Sequence, residues 1–150
     1  MSEVVLDASA LLALLQDEPG AGKVADAIGT SRMSSVNYAE VVSHFIHAGM
    51  PADQVDAMLR PLPMAIVEAD QALATIAGRL RAATAEAGLS LGDRFCLALA
   101  RRDGLPALTA DSINKNFGEL LKALKDPKSP VKLEIANRSE ERRVGKECRL

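Results

Sequence analysis

The chain has 150 residues, 48% of them hydrophobic and 25% charged, a balance that fits one globular domain and excludes intrinsic disorder. Aromatic residues are 3% with no Trp, so the core must be aliphatic, and a nucleic-acid surface built from stacked aromatic platforms is disfavoured. The net charge of −2 does not by itself point to a polyanionic partner, and Cys96 and Cys148 give no disulfide framework. With no basic leader and no apolar run of membrane-spanning length, a soluble cytoplasmic protein is expected.

Strand and helix signals alternate along the chain. Residues 3–6 read as a strand and 8–16 as a helix, with Asp7 at their joint. A helix over about 20–29 follows Pro19, a short strand covers 31–35, and NYAEVVSHFIHA forms a helix over 37–48 that stops at Gly49. A helix spans about 51–60 and PMAIVE (63–68) is a strand. The helix predicted over 70–87 ends at Gly88, a left-handed cap. The next, 91–103, ends with Arg101 and Arg102 at the negative end of its dipole, before Gly104. PALTA (106–110) is a strand, 112–124 a helix, and VKLEIA (131–136) a last strand. This alternation predicts an α/β domain over residues 1–137, with a mostly parallel sheet of about five strands covered by helices on both faces.

The final stretch, RSEERRVGKECRL, departs from this pattern. It has no apolar periodicity, and it is similar to the in-frame translation of a common sequencing-adapter oligonucleotide. Residues 138–150 are therefore expected to be an unstructured tail foreign to the natural protein, the alternative being a solvated basic arm. Without its five basic and three acidic side chains, 13 basic and 17 acidic groups remain, a net charge of −4.

Four acids stand in or just before the first turns of predicted helices: Asp7, Glu40 in NYAE, Asp93 in SLGD, and Asp111 in LTAD. Taken singly, each reads as a cap. Asp7 and Asp111 fit N-caps, and Asn37 with Glu40, like Ser90 with Asp93, fits a capping box. Taken together, they suggest a site. In a parallel sheet the carboxyl ends of the strands share one edge, where ligands bind. Clustered carboxylates repel and raise one another's pKa values unless a cation offsets them. Mg²⁺ or Mn²⁺ prefers such an oxygen set.

No serine-hydrolase elbow, phosphate-binding loop or dinucleotide fingerprint is present. His44 and His47 are too few for a zinc site, and Cys96, within FCLALA, reads as a core residue. Metal-assisted hydrolysis of a phosphodiester is what the acids would suit. Arg94 and Lys115 are placed to contact flanking phosphates, or equally to be solvated helix residues.

VVLDASALLALL, NYAEVV, LSLGDRFCLALA and PALTAD, in this order and spacing, resemble the PIN-domain nucleases, most closely the VapC toxins of bacterial VapBC toxin–antitoxin pairs. The resemblance covers about residues 3–136. It implies a three-layer PIN-like fold and a Mg²⁺- or Mn²⁺-dependent endoribonuclease whose metal is held by Asp7, Glu40, Asp93 and Asp111. Ser9 matches the hydroxyl residue that often follows the first acid by two, and Asn114 falls where some members carry a further acid or polar group. Both are assigned supporting roles. An aromatic residue usually follows the fourth acid within about three positions, whereas Phe117 comes at six. The family further implies a homodimer, a VapB-like antitoxin and an RNA substrate, often a transfer RNA.

A PIN-like nuclease outside any toxin–antitoxin pair and a catalytically silent interaction domain are the alternatives. A haloacid-dehalogenase phosphatase would need a second acid where Ser9 stands, and a response-regulator receiver finds no counterpart in PMAIVEAD. If the tail is foreign, deleting residues 138–150 leaves the thermal unfolding midpoint and activity unchanged, and a substantial loss of either refutes that reading.

Overall fold

The computed structural model describes residues 3–85, 88–110 and 131–136. Five strands, β1 (Val4–Leu6), β2 (Ser31–Ser34), β3 (Ala65–Val67), β4 (Ala107–Thr109) and β5 (Leu133–Ile135), form one sheet in the order β3-β2-β1-β4-β5. Every pairing is parallel, with Val5 opposite both Arg32 and Ala107. The all-parallel arrangement accounts for the unbroken apolar run of β1. Val4 and Leu6 enter one core and Val5 the other, so a central strand covered on both faces has no polar side.

Helices α1 (Ala8–Leu15), α2 (Ala21–Ala27), α3 (Ser35–His47) and α4 (Ala52–Leu59) contribute to the core that takes Val4 and Leu6, through Leu11, Val24, Val41, Phe45 and Leu59. Helices α5 (Gln71–Arg79) and α7 (Leu91–Asp103) pack together over the opposite face through Leu73, Ala77, Phe95 and Leu99. The expected three layers are present. Their cores are mainly aliphatic, with Phe45 and Phe95 as the buried aromatic residues.

The sequence-based boundaries need three corrections. The helix expected over 20–29 gives way to a 3₁₀ turn at Ile28–Thr30. The helix expected over 37–48 starts two residues earlier, because Ser34 caps it by accepting from the Asn37 N–H. The run expected over 70–87 divides at Leu80, whose ψ of −18° is close to a 3₁₀ turn, and resumes as α6 (Arg81–Thr84). Gly104 closes α7 in the left-handed conformation, φ 66°, as its position predicted. The helix expected over 112–124 and the tail 138–150 lie outside the described residues, as do Asp111, Asn114, Lys115 and Phe117. Among the described residues no helix is long and apolar enough to cross a membrane.

Leu11 is fully buried at the centre of the α1 face. Leu11→Ala is expected to cost about 2–5 kcal/mol, because the surrounding helices cannot close the cavity. Urea unfolding would show this as a lower midpoint with an unchanged slope.

Candidate active site

The strand order turns back on itself at β1. The chain runs outward from β1 through β2 to β3, then returns to place β4 on the other side of β1. Such a reversal leaves a crevice beyond the carboxyl ends of the two adjacent strands, and Asp7 follows β1 at that point.

Asp7 is a helix cap, as its sequence position suggests. Its backbone is extended, and Oδ1 accepts from the Ala10 N–H at 2.9 Å and from Ser9 Oγ at 2.8 Å. The same residue is clasped to β4. Its N–H donates to the Leu108 carbonyl at 3.2 Å, Ser9 Oγ lies 3.0 Å from Thr109 Oγ1, and the Ala110 N–H donates to Ser9 Oγ at 3.1 Å. Ser9 thus joins the first turn of α1 to the end of β4. Asp111, the next residue after Ala110, lies outside the described residues.

Two helices bring further acids to this edge. Ser90 and Asp93 form the expected capping box at the start of α7, with Ser90 N–H to Asp93 Oδ2 at 3.0 Å and Asp93 N–H to Ser90 Oγ at 3.2 Å. Asn37 and Glu40 do not form the other box. Ser34 is the cap and Asn37 its partner, which leaves Glu40 in the second turn of α3 with its side chain exposed. There Glu40 Oε1 accepts from Asn37 Nδ2 at 2.9 Å, and the same amide nitrogen donates to the Gly92 carbonyl at 3.0 Å. Sequence spacing had assigned Asn37 to the wrong cap. The i,i+3 spacing to Glu40 was visible in NYAE, but the Gly92 partner, 55 residues on, was not.

Electrostatically, Asp93 is the acid that acts on both of the others. Burial pushes the Asp7 carboxyl up to about 6, against the hydrogen bonds from Thr109, Ala10 and Ser9, and the Asp93 charge adds to the rise. Asp7 as a whole residue is only partly buried, so dense packing and some solvent access coexist there. Glu40 is exposed overall, and the partial desolvation of its carboxyl beside α7 still raises it, opposed by Asn37 and reinforced by Asp93. Beneath them the Cys96 thiol is pushed well up by burial, with further contributions from Asp7, Asp93 and Glu40. Cys96 is therefore the core residue expected from FCLALA, and it floors the acidic edge.

None of the three acids forms a salt bridge among the described residues. The other end of α7 is unlike this. Asp103 accepts from Arg32 Nη1 at 2.8 Å and from Arg102 Nε at 2.9 Å, and these partners hold it below its ordinary value despite the opposing effect of burial. Arg94 Nη1 donates to the Leu89 carbonyl at 3.4 Å.

Among the described residues no group of three or more His, Cys, Asp and Glu side chains is gathered closely enough to enclose a metal ion. The donor set nevertheless suits a hard divalent cation. It is all carboxylate oxygen, and Mg²⁺ retains several waters while taking only one or two carboxylates. The raised Asp7 and Glu40 are the groups that a cation would hold ionised.

The PIN domain profile matches residues 4–120. No curated protein matches the chain. Among solved structures, the chain is similar to DNA-bound VapBC from Salmonella typhimurium, at 16% identity and a TM-score of 0.64, over 90% of this chain and 98% of that one. It is similar to VapBC2 from Rickettsia felis bound to a promoter DNA fragment, at 15% identity and a TM-score of 0.63, over 89% and 98%. A third likeness is to VapBC-5 from Mycobacterium tuberculosis, at 23% identity and a TM-score of 0.53, over 90% and 98%. At these identities the likeness is one of fold, and it agrees with the all-parallel sheet. The profile match takes in β1 to β4 and all four acids, and the chain belongs to the PIN-domain family.

Proposed function

We propose that the chain is a Mg²⁺- or Mn²⁺-dependent endoribonuclease, the toxin of a VapBC-type pair, active as a homodimer and restrained by a VapB-like antitoxin. The observation that carries this reading is that Glu40 lies against Gly92, the neighbour of Asp93, and that the Asp93 charge also acts on Asp7 at the end of β1, none of the three having a salt bridge among the described residues. The toxin–antitoxin assignment rests on the shared fold of the VapBC complexes.

Asp7, Glu40 and Asp93 would hold the metal, with Asp111 as the fourth acid and Ser9 and Asn114 in support. When bound, the cation lowers the pKa of a water and offsets charge developing on a phosphate. The chain's own contribution is orientation. Asp7 is fixed by Ala10 N–H and Ser9 Oγ, with the positive end of α1 favouring its ionised form. Asp93 is held by the backbone N–H of Ser90. The cation would also offset the repulsion between this acidic edge and an RNA backbone, with Arg94 and Lys115 as candidate contacts to flanking phosphates.

Purified protein is expected to cleave RNA, transfer RNA among the substrates tested, only with Mg²⁺ or Mn²⁺ present. Asp7→Asn and Asp93→Asn should each abolish cleavage while circular dichroism stays unchanged. Cleavage at parental rate in both variants would rule the assignment out. Absence of metal binding by calorimetry, with no growth arrest on expression, would favour a silent interaction domain instead.

Without metal, the same site should limit stability in a pH-dependent way. The folded-state value of Asp7, about 6, lies above the ordinary 3.8, so the native state binds the extra proton between these pH values. Stability therefore falls as pH rises from 4 to 6 and levels off above. Asn can still cap α1. In EDTA, Asp7→Asn should thus be more stable than the parent at pH 7, by up to about 3 kcal/mol. The difference should vanish near pH 4, and denaturant titrations at both pH values measure it.

A further inference from the structure

We propose that Asn37 is a positioning residue which, together with the absent side chain of Gly92, sets the Glu40 carboxylate against the first turn of α7. This rests on the metal-dependent reading of the acidic edge, in which Glu40 is a ligand.

The Asn37 side chain is almost fully buried, at 1% exposure, and has three partners. Oδ1 accepts from Ser34 Oγ at 2.9 Å, while Nδ2 donates to Glu40 Oε1 at 2.9 Å and to the Gly92 carbonyl at 3.0 Å. This arrangement fixes the amide orientation. A flipped carboxamide would set its oxygen against a carboxylate and a carbonyl, neither of which can donate. Ser34 is itself fully buried and caps α3 through the Asn37 N–H. The amide is therefore anchored before it reaches Glu40. One side chain ties α3 to α7 and holds an acid at the joint.

Gly92 completes the arrangement from the other side. A Cβ at this position would fall on the Glu40 carboxylate, touching both of its oxygens. The second residue of α7 needs no glycine for its backbone, since its φ is not positive. The space is taken instead by Glu40, one residue before Asp93. Asn37 pulls the carboxylate to this place and Gly92 leaves room for it, which brings Glu40 within electrostatic reach of Asp93.

The test uses Mn²⁺ binding to the full chain by calorimetry. Asn37→Ala should weaken binding roughly 10- to 100-fold, the range for partners that orient metal ligands. Gly92→Ala should weaken it comparably while the helix is preserved, since Ala is the better helix former. Only the far end of a flexible side chain has to move. In a Glu40→Ala background neither substitution should weaken binding further by more than about twofold, because both act through that carboxylate. Parental affinity in Asn37→Ala or Gly92→Ala, or equal losses in both backgrounds, would overturn the proposal.

A second readout needs no metal. In the amide NMR spectrum, Glu40→Ala should shift one Asn37 carboxamide proton and speed its exchange, leaving the proton on the Gly92 carbonyl protected. Failure of the parent to bind Mn²⁺ would overturn the metal reading, and the ligand role of Glu40 with it. An Asn37 signal indifferent to Glu40→Ala would overturn the positioning contact itself, whether or not Mn²⁺ binds.

Discussion

The parallel pairing of β1 with β4 brings residue 7 beside residues 108–110, a separation in sequence of about a hundred positions. Apolar side chains drive it. Val4, Val5, Leu6, Ala107 and Leu108 are all buried, and removing them from water against two helical layers is favourable whatever chemistry follows. The Ser9 hydroxyl then tightens the junction, because it is close to Asp7, Thr109 and the Ala110 N–H at once. A buried sheet thereby fixes the geometry of a polar edge at its end.

The two ends of α7 show how differently the same side-chain type is treated. At the C-terminal end Asp103 is matched by two guanidinium groups and behaves as a structural ion-pair member. At the N-terminal end Asp93 faces two other acids with no cation among the described residues, and burial and repulsion raise both neighbours. A fold selected for stability alone would have reason to avoid that second arrangement, since unpaired buried charge is costly. Perturbed carboxylates gathered in a crevice mark a functional site more often than a structural one.

Capping and ligation are also compatible within one residue. Asp7 and Asp70 make the same bond, each Oδ1 accepting from the backbone N–H three residues on, at 2.9 and 2.8 Å. Asp70 is exposed, lies beyond the edge strand β3, and has the Arg102 charge for company. Asp7 lies beyond the central strand, with Asp93 and a buried thiol nearby. Local chemistry makes both residues caps, and location in the sheet places only one of them at the crevice beside β4.

The alternation of strands and helices, the parallel sheet, and the placing of Asp7 and Asp93 at helix starts are all legible in the chain's local pattern. Apolar periodicity, cap residues and glycine stops are local signals, so they can be read from neighbours in the chain. Helix-start spacing also singles out Glu40, while assigning it a capping box in place of the cap that Ser34 and Asn37 form. Tertiary contacts alone bring the Asp93 charge to both Asp7 and Glu40, tie the start of α1 to the end of β4 through Ser9, and carry Asn37 to Gly92. Those contacts join residues tens of positions apart, and they exist only once the strand order has folded back at β1.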